Sequence, residues 1–434
     1  MACSRLQEGA CGASNGSAFR AVTYQYDGTR PVLGNDDGNL NLNKNMDVQG
    51  FSHKSGSTFD SYHEAFPEKP TFASECCSCT THREDKGAGP MQCTSGQSSA
   101  SNDRDFMTGT MVWTLFDYYG EDHGWPNIAS KYGQFDLAGF PKNTAYWYRS
   151  WWLGGTNLTS DDRPSVGGEY QANLLNYWDA APTGALTGHP NQIAGITNAP
   201  FAELFLNGKS LGTQRTERLG HLSWDIPEFS AGNLTMAAMD THNRTVATDT
   251  MVTVGDPDSV QLQIDTPAPS IGTGSAVFLD GQDVAMLRGT VVDKNGNRVH
   301  NSTAVVTYTV VSGPGRVLAT HNGDSANHEP NLSPWHSSYG GLTRAIVQTS
   351  TDAGTPAWHR RRLLQIDAEA NLRTQIADPD DAQAPVPPAG IVIQATSPGL
   401  KSCTITIPVS TDPAAGVLAS AYSAVGAPLA LDTL

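Results

Sequence analysis

One glutamate lies where a short apolar run ends, in the segment Pro70–Glu75 (PTFASE). The run predicts a β-strand, and in β/α barrels the carboxyl end of each strand faces the active site. A carboxylate at that place could serve as a nucleophile or as an acid/base. A glutamate at a strand end is also commonly a solvated loop residue, so the segment alone leaves both interpretations open.

Aromatic and acidic residues cluster around a second apolar run, Met111–Phe116, which predicts another β-strand. Trp113 lies within it, and Asp117, Tyr118 and Glu121 follow. Indole and phenol rings stack on the apolar C–H faces of sugars, and carboxylates bind sugar hydroxyls. The cluster is therefore compatible with sugar binding, although Trp113 could equally be a core aromatic.

The cysteines do not form a convincing metal site. Cys76 and Cys77 are adjacent and cannot both readily face one ion, and Cys93 is the only other cysteine near Cys79. Zinc is therefore disfavoured, and packing beside the site is the simpler interpretation. The segment Asp293–Asn297 superficially resembles a calcium loop, but it lacks the later bidentate glutamate, so a hairpin turn is favoured. We expect no metal and no cofactor, and seven cysteines in this length do not indicate a disulfide scaffold.

Short strands and helical stretches alternate up to about residue 155, which predicts a parallel β/α domain. Later runs are short and alternating and predict antiparallel sandwiches. Asn-Gly turn signals recur between them, at Asn207-Gly208, Asn295-Gly296 and Asn322-Gly323. The Pro-rich break near residue 267 divides this later region. The expected domains are 1–155, 156–260 and 261–412, with an unassigned tail over 413–434.

Composition excludes several classes of function for the 434-residue chain. It carries 27 Lys and Arg against 43 Asp and Glu, a net charge of −16, so nucleic-acid binding is not expected. We find no transmembrane segment, and the first twenty residues lack the apolar core of a signal peptide. Compartment stays unknown, and we expect no membrane partner.

Four segments, in order, resemble motifs in the C-terminal half of family-two glycoside hydrolases, the group of β-galactosidases, β-glucuronidases and β-mannosidases. They are Asp27–Val32 (DGTRPV), Pro70–Glu75, Met111–Tyr118 (MVWTLFDY) and Tyr132–Lys142 (YGQFDLAGFPK). Segments further on, including Asn198–Gly212 and Asp280–Val284, resemble the β-domains that follow the barrel. The resemblance implies a partial (β/α)8 TIM barrel followed by two immunoglobulin-like β-sandwiches, a multidomain α/β plus all-β fold.

The resemblance also implies a mechanism, retaining hydrolysis through two carboxyl groups about 5 Å apart. Glu75 corresponds to the nucleophile, and Trp113 and Asp117 to residues that border the sugar. The family's acid/base follows an Asn, and the nearest candidate pair is Gln7 and Glu8, where Gln7 departs from that Asn.

His53 corresponds to a position where a Tyr contacts the nucleophile. A neutral His53 there could donate a hydrogen bond to Glu75 and keep it ionised. An ordinary loop histidine is the alternative.

Residues 1–155 are too few for a complete barrel, which needs about 250 residues. Half a barrel leaves two unpaired strand edges and an unburied apolar face. A partner chain or an oligomer could cover them, disordered or non-native packing could do so, or they could stay uncovered, and the sequence leaves these alternatives open. Two functions follow. The first is hydrolysis of terminal β-linked sugars, with β-galactosides favoured. A β-glucuronidase would need a cationic group for the sugar carboxylate, and we identify none in the sequence, while β-mannosides stay an open alternative. The second is an inactive remnant that binds carbohydrate or protein.

Overall fold

The structure is a computed structural model that describes residues 13–35, 45–54, 56–84, 89–121, 124–153, 169–175, 177–178, 192–226, 229–350, 390–412 and 415. The chain forms two compact units, Met1–Thr253 and Val254–Leu434. Gln7 and Glu8 lie outside the described residues, as does nearly all of the tail after residue 412. Within the described ranges, no helix is both long and apolar enough to cross a bilayer.

A four-stranded parallel sheet occupies the N-terminal part of the first unit. Its strands lie side by side in chain order and are β1 (Leu33–Asn35), β2 (Val48–Ser52), β3 (Thr71–Cys76) and β4 (Met107–Val112). Helix α1 (Ala13–Tyr26) precedes β1, α2 (Gly56–Ala65) joins β2 to β3, and α3 (Gly89–Asn102) joins β3 to β4. This strand–helix–strand succession is the parallel β/α arrangement that the sequence predicts.

One face of this sheet is covered by α2. Phe51 on β2 packs against Phe59 and Tyr62 of α2, with ring centroids 4.9 and 5.6 Å apart. The opposite face remains accessible, since Leu33 is 40% and Met111 61% exposed. Within the described residues, the helices therefore bury one face of this sheet and leave the other accessible.

The strands approach closely at Gly50 on the accessible face. A Cβ atom there would lie 2.6 Å from Leu33 Cδ2 and 2.8 Å from Ser74 Oγ. The absence of a side chain at Gly50 therefore lets β1, β2 and β3 pack together.

The predicted strand Met111–Phe116 is wrong in its position, because β4 ends at Val112. After Val112 the chain leaves the sheet, and Leu115 O accepts a hydrogen bond from Phe135 N–H at 2.9 Å. Leu115 and Phe116 are 56% and 50% exposed. Leu115 and Phe116 extended the apolar run beyond the true end of β4. Thr108 and Gly109, which lie within β4, interrupted the apolar pattern at its beginning.

A buried ion pair anchors the chain that follows β4. Lys142 Nζ donates to Asp117 Oδ1 at 2.6 Å, and to the carbonyl oxygens of Thr81 and Lys131 at 2.9 and 3.2 Å. Asp117 Oδ1 also accepts the Gly133 N–H at 2.9 Å. Three acceptors match the three protons of the ammonium group, which is why a lysine can be buried here. Burial raises the pKa of Asp117 to about 6, with Lys142 opposing the rise, so the carboxylate is ionised at neutral pH.

Asp136, in the same segment as Lys142, is also buried. Its Oδ1 accepts the N–H groups of Ala138 and Phe140, both at 2.9 Å, and its Oδ2 lies 3.0 Å from Arg83 Nε. Burial raises the pKa of Asp136, and Arg83 opposes that rise. The charged residues of Tyr132–Lys142 therefore hold loops together beneath the strand ends.

Helix α4 connects this region to an antiparallel two-sheet structure in the same unit. The short strands β5 (Tyr118–Tyr119) and β6 (Ala129–Ser130) precede α4 (Asn143–Leu153). The two sheets have the orders β11-β8-β7 and β10-β9-β12-β13. Their strands are β7 (Ala172–Leu174), β8 (Gln192–Thr197), β9 (Phe201–Leu206), β10 (Lys209–Arg215), β11 (Leu222–Asp225), β12 (Asn233–Met239) and β13 (Thr245–Val252). Leu204, Trp224 and Met236 lie in the core between the sheets, and Trp147 of α4 packs on Ile196 of β8.

The second unit is a further pair of antiparallel sheets with the orders β14-β16-β20-β18 and β19-β17-β21-β22, beside a small parallel pair, β15-β23. The strands are β14 (Ser259–Thr266), β15 (Val277–Phe278), β16 (Val284–Val292), β17 (Val305–Ser312), β18 (Gly315–His321), β19 (Trp335–Ser337), β20 (Leu342–Thr349), β21 (Ile391–Thr396), β22 (Cys403–Ile407) and β23 (Val409–Ser410), with a short 3-10 helix at Pro269–Ile271. Leu287, Tyr308 and Ile393 contribute to one buried core. The predicted β-rich architecture is confirmed, while the barrel and the immunoglobulin-like topologies stay predictions.

Two of the predicted Asn-Gly turns are confirmed. Asn207 and Gly208 join β9 to β10 and both have positive φ, 51° and 79°. In the second turn, Asp293 Oδ1 accepts the N–H groups of Asn295 and Asn297 at 2.8 and 2.9 Å. Asp293 therefore caps a hairpin turn, which was the favoured interpretation of that segment.

His336 is the fully buried histidine of β19 in the second unit. Its Nε2 lies 3.1 Å from Asn327 Oδ1 and 3.5 Å from Glu329 Oε2. Burial lowers the pKa of His336, and the attraction of Glu329 opposes that change. The folded unit therefore favours the neutral imidazole.

We predict that replacing Lys142 with Met destabilises the first unit by about 3–5 kcal/mol, because it leaves the Asp117 carboxylate buried without its cation. The double variant Lys142→Met/Asp117→Asn should recover part of this loss. Urea denaturation measures both, with Arg30→Met, at an exposed ion pair with Asp27, as the control that changes little. Equal losses in the single and double variants would show that the two charges are not coupled.

We also predict that the second unit loses stability as pH falls from about 7.5 to 5, through the unfolded histidine pKa of about 6.5. Below that pH, His336 binds a proton in the unfolded chain, whereas the buried imidazole of the folded unit stays neutral to a lower pH. His336→Gln should weaken this pH dependence, measured by thermal melting, whereas His328→Gln, at an exposed position nearby, should retain it. An unchanged pH dependence in His336→Gln would assign the effect to other groups.

Candidate active site

Three neighbouring strands of the parallel sheet end beside one another. His53 follows β2, Glu75 is the penultimate residue of β3, and Trp113 follows β4. The His53 N–H donates to Glu75 O at 2.7 Å, and the Trp113 N–H donates to Cys76 O at 2.8 Å. The backbone thus brings together three of the predicted site residues, from positions 60 residues apart in the chain.

The side chains of His53 and Glu75 also meet. His53 Nε2 lies 3.0 Å from Glu75 Oε1, and the two side chains are 38% and 32% exposed. An ionised carboxylate only accepts hydrogen bonds, so Nε2 carries the proton in this contact. His53 has a φ of 50°, a left-handed conformation that is uncommon for residues other than glycine. The sequence analysis expected these two side chains to meet.

Ser78 is a third member of this contact, and sequence analysis did not identify it. Its Oγ lies 3.3 Å from His53 Nε2, so the serine and Glu75 approach the same ring nitrogen. The turn that carries Ser78 follows β3 directly, with a hydrogen bond from Cys79 N–H to Cys77 O at 2.6 Å. In the sequence, the one signal for Ser78 was a hydroxyl residue three positions after Glu75. The turn determines that the Ser78 side chain approaches His53, and the sequence pattern did not predict this turn.

The four nearby cysteines form two disulfides, Cys76–Cys77 and Cys79–Cys93. The sequence analysis did not predict these bonds, because an odd number of cysteines with two adjacent residues gave no recognisable framework. The second bond links the segment after β3 to α3. Cys76, Cys77 and Cys79 pack in the core behind the sheet. Among the described residues, no group of three or more His, Cys, Asp and Glu side chains is arranged to hold a metal ion.

Trp113 lies at the edge of this site with 37% of its surface exposed. Its Nε1–H donates to Tyr118 Oη at 3.1 Å, and the two rings meet edge to face at 5.8 Å. Tyr118 in turn donates to Glu121. Burial and the hydrogen bond to Glu121 raise the pKa of Tyr118, so the phenol stays protonated and can hold the indole in place.

The remaining predicted site residues lie elsewhere. Asp117 was expected to border the sugar, but its side chain is 3% exposed and its carboxylate contacts Lys142. Gln7 and Glu8 are outside the described residues. The site as described therefore consists of one half-exposed carboxylate beside a histidine, with Trp113 following the next strand of the sheet. A carboxylate held in this way can act as a nucleophile.

Comparisons with known proteins find similarity to glycoside hydrolases of family 2. The model of the glycoside hydrolase family 2 C-terminal domain 5 matches residues 257–357, and that of a domain of unknown function matches residues 188–247. A β-galactosidase from Bacteroides ovatus is 30% identical over 276 residues, which are 62% of this chain and 29% of the relative. A β-glucuronidase from Formosa agariphila is 24% identical over 229 residues, which are 51% of this chain and 20% of the relative.

A solved structure shares the fold. The crystal structure of a β-glycosidase from Bacteroides vulgatus matches 93% of this chain and 50% of its own, with a TM-score of 0.68 and 19% identity. The chain thus spans less than a third of the two curated relatives described above. The family model over residues 257–357, the curated relatives and the shared fold support a member of glycoside hydrolase family 2, of which this chain matches the C-terminal portion.

Proposed function

We propose that the protein hydrolyses terminal β-linked sugars with retention of configuration, and that β-galactosides are its substrates. The observation that carries the proposal is Glu75 at a strand end, half exposed and 3.0 Å from a histidine nitrogen that can donate to it. The similarity to glycoside hydrolases of family 2 supports hydrolysis, and the similarity to a β-galactosidase supports the sugar.

In the proposed mechanism Glu75 attacks the anomeric carbon and forms a covalent glycosyl-enzyme. A second carboxyl, about 5 Å from the first, protonates the departing oxygen and then activates water. We assign that role to Glu8, with Gln7 beside it to contact the sugar. The indole of Trp113 packs against the apolar face of the sugar ring in this proposal. In this proposal the role of Asp117 is structural, because its ion pair with Lys142 positions the loop after β4.

The proposed fold around this site is a (β/α)8 barrel followed by immunoglobulin-like sandwiches. The parallel strands β1 to β4 supply part of that barrel. Leu33 and Met111 are exposed on the accessible face of the sheet. Exposed apolar side chains at this place favour a structure in which further strands or a partner chain cover that face. The carbohydrate substrate would bind at the strand ends, without a metal or cofactor.

Galactosides and glucuronides are the two sugar classes to compare, because curated relatives include enzymes named for each. A glucuronide carries a carboxylate, and its recognition needs a cationic group at the site. The described site around Glu75 has a carboxylate, an imidazole and an indole, which suits a neutral sugar better. Parallel assays with aryl β-galactosides and aryl β-glucuronides decide between them.

We predict that Glu75→Ala lowers kcat/KM for an aryl β-galactoside by at least about 1000-fold, because the nucleophile is lost. Azide should restore turnover and give the α-galactosyl azide, since the small anion attacks from the face that Glu75 vacates. Glu64→Ala, at an exposed position on α2, is the control and should retain activity. Sugar binding without turnover in the unmodified chain would instead favour the inactive carbohydrate-binding remnant.

We predict a smaller loss for His53→Phe, about 10- to 100-fold in kcat/KM, the effect of removing one hydrogen bond to a charged group. His53→Gln, whose amide can still donate, should retain more activity than His53→Phe. Steady-state kinetics with the same galactoside measures both. Equal losses in the two variants would mean that the donated hydrogen bond does not contribute.

A further inference from the structure

We propose that Ser78 is a positioning residue whose hydroxyl oxygen accepts the hydrogen bond from His53 Nε2–H while Glu75 forms its covalent bond. The inference rests on the proposed function, because it concerns a step of that reaction. It assigns a role to a serine that contacts the histidine and that the mechanism above does not use.

Two oxygens compete for one N–H at this site. Glu75 Oε1 lies 3.0 Å and Ser78 Oγ 3.3 Å from His53 Nε2. The carboxylate requires Nε2 to be the donor, so the serine oxygen faces that proton as a second acceptor. While Glu75 is charged it takes the stronger share of the hydrogen bond.

The first chemical step changes this balance. A lone pair on Glu75 forms the bond to the anomeric carbon, the bond to the leaving oxygen breaks with its electrons on that oxygen, and the acid/base carboxyl protonates it. Glu75 thereby becomes a neutral ester, a weaker acceptor. With Ser78 in place, the Nε2–H turns to the serine oxygen instead of losing its partner. When water later releases the sugar, the same N–H returns to the departing carboxylate.

Helix α3 holds Ser78 in position from behind. Gln97 Oε1 accepts the Cys77 N–H at 2.8 Å, and Gln97 Nε2 donates to Cys93 Sγ at 3.3 Å. The Cys79–Cys93 disulfide then fixes the residue after Ser78 to the same helix. Both neighbours of Ser78 are therefore attached to α3, which holds the backbone of the serine beside His53.

The kinetic test compares two steps in Ser78→Ala. The ratio kcat/KM for a poor leaving group reports formation of the glycosyl-enzyme, and kcat for a dinitrophenyl galactoside reports its hydrolysis. We expect Ser78→Ala to lower kcat/KM for the poor leaving group about fivefold, the effect of one neutral hydrogen bond. The kcat for the dinitrophenyl galactoside should stay unchanged or rise, because the glycosyl-enzyme of this variant holds an unpaired His53 N–H. Thr80→Ala, at an exposed position two residues on, should change neither.

A second readout does not depend on turnover. In the full chain labelled with ¹⁵N-histidine, the Nε2–H signal of His53, assigned with His53→Gln, should shift in Ser78→Ala and stay in place in Thr80→Ala. Gln97→Ala should shift it in the same direction, because the turn is then less firmly held.

The outcomes separate this inference from the proposed function. Absence of turnover by the unmodified chain, with no rescue of Glu75→Ala by azide, overturns both. Normal turnover with an unmoved Nε2–H signal overturns the role of Ser78 alone. Equal proportional losses in the two kinetic steps do the same, because a merely structural serine would slow both.

Discussion

The site depends on the parallel register of three strands. Backbone hydrogen bonds from His53 to Glu75 and from Trp113 to Cys76 place the ends of β2, β3 and β4 side by side. Parallel strands all end at the same edge, so side chains that are far apart in sequence meet there without a dedicated loop. A shift of one residue in β3 would turn Glu75 to the opposite face, toward the buried core behind the sheet. Every chemical role proposed here presupposes this register.

Structural support for that edge lies in buried groups that never touch a substrate in the proposed mechanism. Lys142 joins Asp117 to two backbone carbonyls, and the Cys79–Cys93 disulfide ties the segment after β3 to α3. Removal of either partner of a buried ion pair is costly, so these groups keep one arrangement of the loops. This explains why the motif Tyr132–Lys142 is distinctive in the sequence although it contributes no side chain to the described contacts of Glu75. Its charged residues are a structural requirement of the site.

Sequence alone predicted the features that follow from local pattern. The strand that ends near Glu75, the Asn207–Gly208 hairpin and the antiparallel character of the later region all follow from alternation and turn chemistry. Contacts that depend on unusual backbone conformation were harder to foresee. His53 and Cys77 have φ values of 50° and 69°, and the direction of Ser78 depends on the turn that follows. The predicted position of β4 was wrong because the exposed residues Leu115 and Phe116 continue the apolar run beyond the strand. The burial of Asp117 could not be predicted because its partner, Lys142, is 25 residues away in the sequence.

The most direct measurement is mass spectrometry of the protein after reaction with 2-deoxy-2-fluoro-β-galactosyl fluoride, which slows release of a covalent intermediate. The account predicts one added fluorogalactosyl group on the peptide that contains Glu75, and none on that peptide in Glu75→Ala. A label on another carboxylate, or active hydrolysis without any label, would contradict the assignment of Glu75 as the group that attacks the sugar.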